Sequence, residues 1–180
     1  MLEPLGELTR AQAYDIFAHQ VELLDREGVD LFVIETMTQV EELYEAAHAV
    51  KDKSTRPLIV SITFQNTPKG FKTIMGKTLE EVVRVMANTG AEAIGSNCGL
   101  DAYQMMELIK QMRTLTDRPL FAKPNAGQPE LYNGKTVFKQ TPDDFEKVAP
   151  MLRQYGAHII GGCCGTTPAF IERIKKALHG

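Results

Sequence analysis

Apolar residues recur at helical spacing from about Arg10 to Glu27, where Ala13, Ile16, Phe17, Val21 and Leu24 form one stripe, and Gly28 stops the pattern. A run too short for a helix, Leu31 to Ile34, follows at once and ends on Glu35-Thr36. Helical spacing then resumes from Val40 to Val50. The alternation repeats, with short apolar runs at about Leu58 to Thr63, Ala93 to Gly95, Leu120 to Lys123 and Ile159 to Gly161, and helical patterns between and after them. The runs are continuously apolar rather than alternating in and out, which is what parallel strands covered by helices require. The pattern predicts a parallel α/β fold of about five βα units.

Three junctions share one design: Gly28-Val29-Asp30, Gly90-Ala91-Glu92 and Gly156-Ala157-His158. Each glycine can end a helix in a left-handed turn just before the next strand, so we read an internal βα repeat. Five units fall short of an eight-stranded barrel, which takes about 250 residues. The chain therefore reads either as a portion of such a barrel or as a small open sheet. Two segments on the carboxyl side of strands are long for βα connections, Phe64 to Lys77 and Pro124 to Thr141, and long loops there usually serve a site.

Parallel α/β folds place their chemistry at the carboxyl ends of the strands. Here those ends carry Glu35-Thr36, Thr63-Phe64-Gln65, Ser96-Asn97-Cys98, Lys123-Pro124-Asn125 and the run Gly161 to Thr167, so all three cysteines of the chain fall on strand ends. Cys98 follows Gly90 by eight positions, Cys163 follows Gly156 by seven and Glu35 follows Gly28 by seven, which sets these side chains at similar heights on one rim. Adjacent cysteines flanked by glycines can both reach one ion, and with Cys98 they make the three protein ligands of a catalytic zinc site whose fourth position stays open. Coordination would deprotonate a thiol that is mostly protonated at neutral pH when free. Glu35 on the same rim offers a carboxylate to a substrate ammonium group. Other readings stand beside these. Gly161 to Thr167 ahead of a helix suits a phosphate as well as a metal, a lone strand-end cysteine such as Cys98 is most often core, and Glu35 is also favoured near a helix start.

The remaining residues change the picture little. His19, His48, His158 and His179 read as satisfied or solvent-facing, Met105, Met106 and Met112 as helix packing, Glu41, Glu42 and Glu45 as a solvated helix face, and Lys123 as a salt-bridge partner. With 43% hydrophobic residues the chain can bury a sizeable core. A net charge of -3 without any basic run gives no sign of a nucleic-acid partner. No apolar run approaches the roughly 20 residues needed to span a membrane, and the start of the chain lacks the regions of a signal peptide. The chain reads as cytoplasmic, where three cysteines suit a metal or catalytic role better than a disulfide framework.

The run Val29 to Thr36, the Gly95-Ser96-Asn97-Cys98 turn, the Lys123-Pro124-Asn125-Ala126-Gly127 loop and the Gly161-Gly162-Cys163-Cys164-Gly165-Thr166 end resemble, in order, the homocysteine S-methyltransferase family. The resemblance covers nearly the whole chain. It implies a (β/α)8 TIM barrel of which residues 1–180 form the carboxyl-terminal part, family strands 4 to 8, without the first three units and their Asp-Gly-x-x-Gly-Thr strand. It further implies that Cys98, Cys163 and Cys164 bind Zn2+, that homocysteine sulfur takes the open position to become methionine, and that Glu35, with Thr36 and Asn125 beside it, contacts homocysteine. The Pro124-Asn125-Ala126-Gly127 loop looks more like the methionine synthase branch, which implies methylcobalamin on a partner domain or corrinoid protein as donor, a small methyl donor being the alternative. A different thiol as acceptor, or a non-catalytic zinc-binding half-barrel, are the other readings. The open sheet implies either a chain supplying the missing amino-terminal strands or a homodimer partner.

Overall fold

A computed structural model describes residues 2–180. The chain begins with α1 (Arg10–Arg26), β1 (Phe32–Met37), α2 (Val40–Lys53) and β2 (Leu58–Ile62). A small hairpin of β3 (Gln65–Thr67) and β4 (Gly70–Lys72) precedes α3 (Leu79–Ala87), β5 (Ala93–Asp101), α4 (Ala102–Arg113) and β6 (Leu120–Asn125). A second hairpin, β7 (Glu130–Tyr132) and β8 (Lys135–Val137), leads to α5 (Pro142–Gln154), β9 (Ala157–Ile160) and α6 (Pro168–His179). The sheet runs β1-β2-β5-β6-β9 with every pairing parallel, so the expected α/β architecture of five parallel βα units, a partial TIM barrel, is what the chain adopts.

Local signals account for the boundaries. Gly28, Gly90 and Gly156 all have positive φ, 84°, 76° and 98°, and turn the chain from helix into strand as their shared pattern predicts. Thr78 with Glu81 and Asp101 with Gln104 form reciprocal capping boxes at the starts of α3 and α4, each cap contributing about 1 kcal/mol. The two long loops are not structureless: each folds back as one of the small hairpins, whose three-residue strands are too short and polar to show as apolar runs.

Successive residues of a strand face opposite sides of the sheet. One register row, Ile34, Val60, Ile94, Leu120 and Ala157, faces the helices and joins the main core, with Leu108, Ile109, Met105 and Met112 from α4 packed against it. The rows on either side face the opposite side of the sheet. There Ile59, Ala93 and Phe121 form a small separate cluster, while Val33 on β1 and Ile159 on β9 are 42% and 39% exposed because each lies on an edge strand.

Two sequence expectations need correcting at α1. The helix packs on α2 rather than over the sheet, so Ala13, Ala18 and Val21 are its buried residues, whereas Ile16 and Leu24 of the predicted stripe are exposed. Leu24 instead lines an apolar groove with Phe17, Phe32 and Val33 beside edge strand β1. The same packing buries Glu45, which reads from sequence as solvated, beneath Arg10 at 3.4 Å.

Candidate metal centre

The thiols converge because two strand ends break their regularity. Pairing between β5 and β6 shifts register after Asn97, and Cys98 and Gly99 take left-handed conformations with φ of 60° and 69°, a bulge that re-aims the Cys98 side chain. Cys163 and Cys164 sit in the turn between β9 and α6. Their backbone is clamped by the loop after β6: Cys163 N donates to Pro124 O at 2.8 Å, Cys164 N to Asn125 Oδ1 at 3.1 Å, and Ala126 N to Cys164 O at 2.9 Å. Thr166 closes the turn, its hydroxyl donating to Cys163 O at 2.7 Å.

All three sulfurs lie within 4.8 Å of one another, and Cys98 Sγ is 3.8 Å from Cys164 Sγ. No disulfide joins them. Tetrahedral zinc with Zn–S bonds near 2.3 Å separates its sulfurs by about 3.8 Å, so one pair already has the required spacing. The set of donors fits the metal chemically as well. Burial, followed by hydrogen bonding with Cys98 and the charges of Cys163 and Cys98, pushes the Cys164 thiol up to about 11. A thiol placed as Cys164 is resists ionisation until a cation compensates it.

Asn97 ties this cluster to the rest of the rim. It is fully buried, its Oδ1 accepts from Ser61 Oγ at 2.6 Å and from Thr36 N at 2.8 Å, and its Nδ2 donates to Thr36 Oγ1 at 2.7 Å and approaches Cys163 Sγ at 3.8 Å. Every polar atom of the side-chain amide is thus engaged. Thr36 itself is held at φ 64°, an unfavourable conformation for a β-branched residue. Asn97 carries no role in the sequence reading, although an asparagine inside a buried strand run is itself a signal, since such a group must find partners or cost stability.

The other expected residues take distinct places. Glu35 does not cap α2, whose N-cap is Gln39; its Oε2 accepts from Lys123 Nζ at 2.7 Å across the inner face. Lys123 therefore is the salt-bridge partner its position suggested. Thr36 reaches the thiols through Asn97. Asn125 stands behind the cysteine pair, holding the Cys164 amide. Among the described residues no helix is long and apolar enough to cross a membrane.

The profile of the family described as homocysteine S-methyltransferase matches residues 2–178. Methionine synthase of Mycobacterium tuberculosis is 27% identical over 157 residues, which cover 84% of this chain and 13% of that protein. The metallated form of the homocysteine methyltransferase MmuM from Escherichia coli is 26% identical with a TM-score of 0.72, over 91% of this chain and 51% of that one. Its apo form gives a TM-score of 0.76 at 24% identity, covering 95% of this chain and 58% of the other. The chain spans about half the length of these solved relatives and a much smaller part of the methionine synthase.

Proposed function

The chain belongs to the homocysteine S-methyltransferase family, and from that premise we propose that it is the carboxyl-terminal part of a (β/α)8 barrel that transfers a methyl group to homocysteine, giving methionine. The observation that carries this reading is the convergence of Cys98, Cys163 and Cys164 at the carboxyl ends of two parallel strands. Three thiols so placed would hold Zn2+ with one position open to substrate. Zinc held there would supply the positive charge that keeps an incoming thiol deprotonated at neutral pH.

The chain's own residues do the positioning. The Pro124-Asn125-Ala126 backbone clamp fixes the vicinal cysteines, and Asn97 fixes their height relative to Thr36 and Glu35. Glu35 accepts the homocysteine ammonium, which aims the sulfur at the donor. The sulfur lone pair then forms the new C–S bond while the donor leaves with the electrons of the bond it held. The resemblance of the Pro124-Asn125-Ala126-Gly127 loop to the methionine synthase branch favours methylcobalamin on a partner domain as donor, with a small methyl donor as the second reading.

The test is metal analysis and homocysteine titration of freshly reduced protein. One zinc per chain is expected, lost on Cys163→Ala. Cobalt substituted for zinc should show thiolate charge-transfer bands that change when homocysteine is added. A chain that binds no zinc, or bands that ignore homocysteine, would overturn the reading.

A further inference from the structure

The hairpin β7–β8 pairs with no other strand, and a two-stranded hairpin is marginal on its own. Its position therefore rests on the loop that carries it, residues 126–140. The base of that loop is closed by Gln140 N donating to Ala126 O at 3.0 Å and by the Lys139–Glu130 ion pair at 2.6 Å. Its two flanks then reach in different directions, and each ends on a glycine that directly follows one of the clustered cysteines. On one flank Gln128 Nε2 donates to Gly99 O at 3.0 Å, next to Cys98. On the other, the half-buried Phe138 ring fills the space that a side chain would take at Gly165, next to Cys164; a Cβ there would overlap the ring. Both glycines stand at positive φ, 69° and 79°.

Cys98 and Cys164 are the pair whose sulfurs already lie 3.8 Å apart. The sheet does not fix that spacing, because β6 separates β5 from β9 and no ladder bond joins the two strands. Gly99 O belongs to the segment where β5 has left its register with β6, so an outside donor is what holds it. Building on the functional reading above, we propose that the 126–140 loop is a clip that sets the separation of Cys98 and Cys164, with Gln128 and Phe138 as positioning residues for the metal-binding thiols. A seated hairpin keeps the two turns at the distance a tetrahedral ion needs. A bound ion, by drawing the turns together, keeps the hairpin seated. The two effects are one coupling free energy and must be equal. The tip, where Leu131 and Tyr132 are 80% and 67% exposed, takes no part in the clip.

The experiment measures both directions of the coupling. Zinc affinity is read by competition with a chelator, and Phe138→Ala and Gln128→Met should each lower it about 10–100-fold. Phe138→Leu should retain most of it, and Leu131→Ser at the tip should leave it unchanged. Cobalt in place of zinc should give weaker thiolate charge-transfer bands in Phe138→Ala than in the unsubstituted chain. In the other direction, zinc should slow trypsin cleavage after the exposed Lys135, and should slow it less in Phe138→Ala. A purely structural role for Phe138 would lower the melting temperature of metal-free protein without touching zinc affinity or the zinc dependence of cleavage. Gln128 is exposed, so Gln128→Met keeps the test decisive if Phe138→Ala fails to fold. Unchanged zinc affinity in Gln128→Met or in folded Phe138→Ala, or cleavage indifferent to zinc, overturns the clip while zinc binding by the unsubstituted chain still stands. If the unsubstituted chain binds no zinc, the functional reading falls and the clip with it.

Discussion

The two ends of the sheet are built from the same five strands and solve different problems. At the amino-terminal end, polar groups close on the backbone. Glu92 accepts from Leu58 N at 2.6 Å and from Lys51 Nζ at 2.8 Å, and the Arg118 guanidinium donates to Ala91 O at 2.6 Å and Ala87 O at 2.9 Å. At the carboxyl-terminal end, polar side chains close on one another and approach sulfur as well as bonding backbone, and the backbone is bent out of its regular conformation at Thr36 and Cys98. In barrels of this type the carboxyl-terminal face is where function resides and the amino-terminal face where stability does.

Breaking each end separately should separate the two properties. The largest effect is expected for Cys98→Ala or Cys163→Ala, which should lower zinc affinity by more than the roughly 10–100-fold typical of an outer-shell change, read by competition with a chelator, with a small change in the stability of metal-free protein. Arg118→Ala should do the reverse, destabilising the chain by about 2 kcal/mol through two carbonyls left without donors while zinc affinity is unchanged. Asn97→Ala should be felt on both scales. It strands the Ser61 hydroxyl and the Thr36 amide, for a loss of about 3 kcal/mol in denaturant unfolding, and it loosens the thiols, for a loss of about 10–100-fold in zinc affinity. An Asn97→Ala protein with wild-type zinc affinity would show that the thiols hold their places unaided.

The pH responses of the two ends should also differ in sign. Burial opposes ionisation of Glu92, but its hydrogen bonds from Lys51 and the Leu58 amide outweigh that and hold its carboxyl below the usual value of 4.5. Its stabilising contribution is present above that value and is lost as pH falls through the lowered one, a loss that Glu92→Gln should abolish. The Cys164 thiol is raised from 9.0 to about 11 by burial and its thiol neighbours. Its contribution to metal-free protein is present below pH 9 and is lost as pH rises towards 11, and Cys164→Ala should flatten that limb. Thermal melts across pH on metal-stripped protein measure both. The smallest effect is expected for Thr36→Gly, where relief of the left-handed backbone offsets the lost bond to Asn97, leaving stability within about 1 kcal/mol while homocysteine affinity falls.

Sequence reading reached the strands, the junction glycines and the three cysteines because each rests on a local rule: an apolar run, a helix stop, a residue type at a strand end. It missed what depends on strands meeting. The stripe on α1 is periodic in sequence, yet which of its residues are buried depends on α2, and nothing in the period says so. Asn97 makes its contacts to residues 36 and 61 positions away, and the Lys123–Glu35 pair spans 88. Glu35 and Lys123 were each legible as rim residues, but their pairing becomes visible only when β1 and β6 lie in one sheet.

Strand order in the sheet follows order in the chain, so nearly all of its pairings join segments close in sequence. The contact between Cys98 and Cys164 is an exception: it bridges 66 residues and passes over β6 to join β5 directly to the turn after β9. Bringing such distant segments together costs chain entropy that neighbouring strands do not incur. With zinc bound as proposed, the metal closes that loop, and its binding free energy is spent on tethering the last βα unit to the centre of the sheet. The substrate's landing place would then double as a latch on the end of the chain, engaged by the concentration of free zinc rather than by any further packing of side chains.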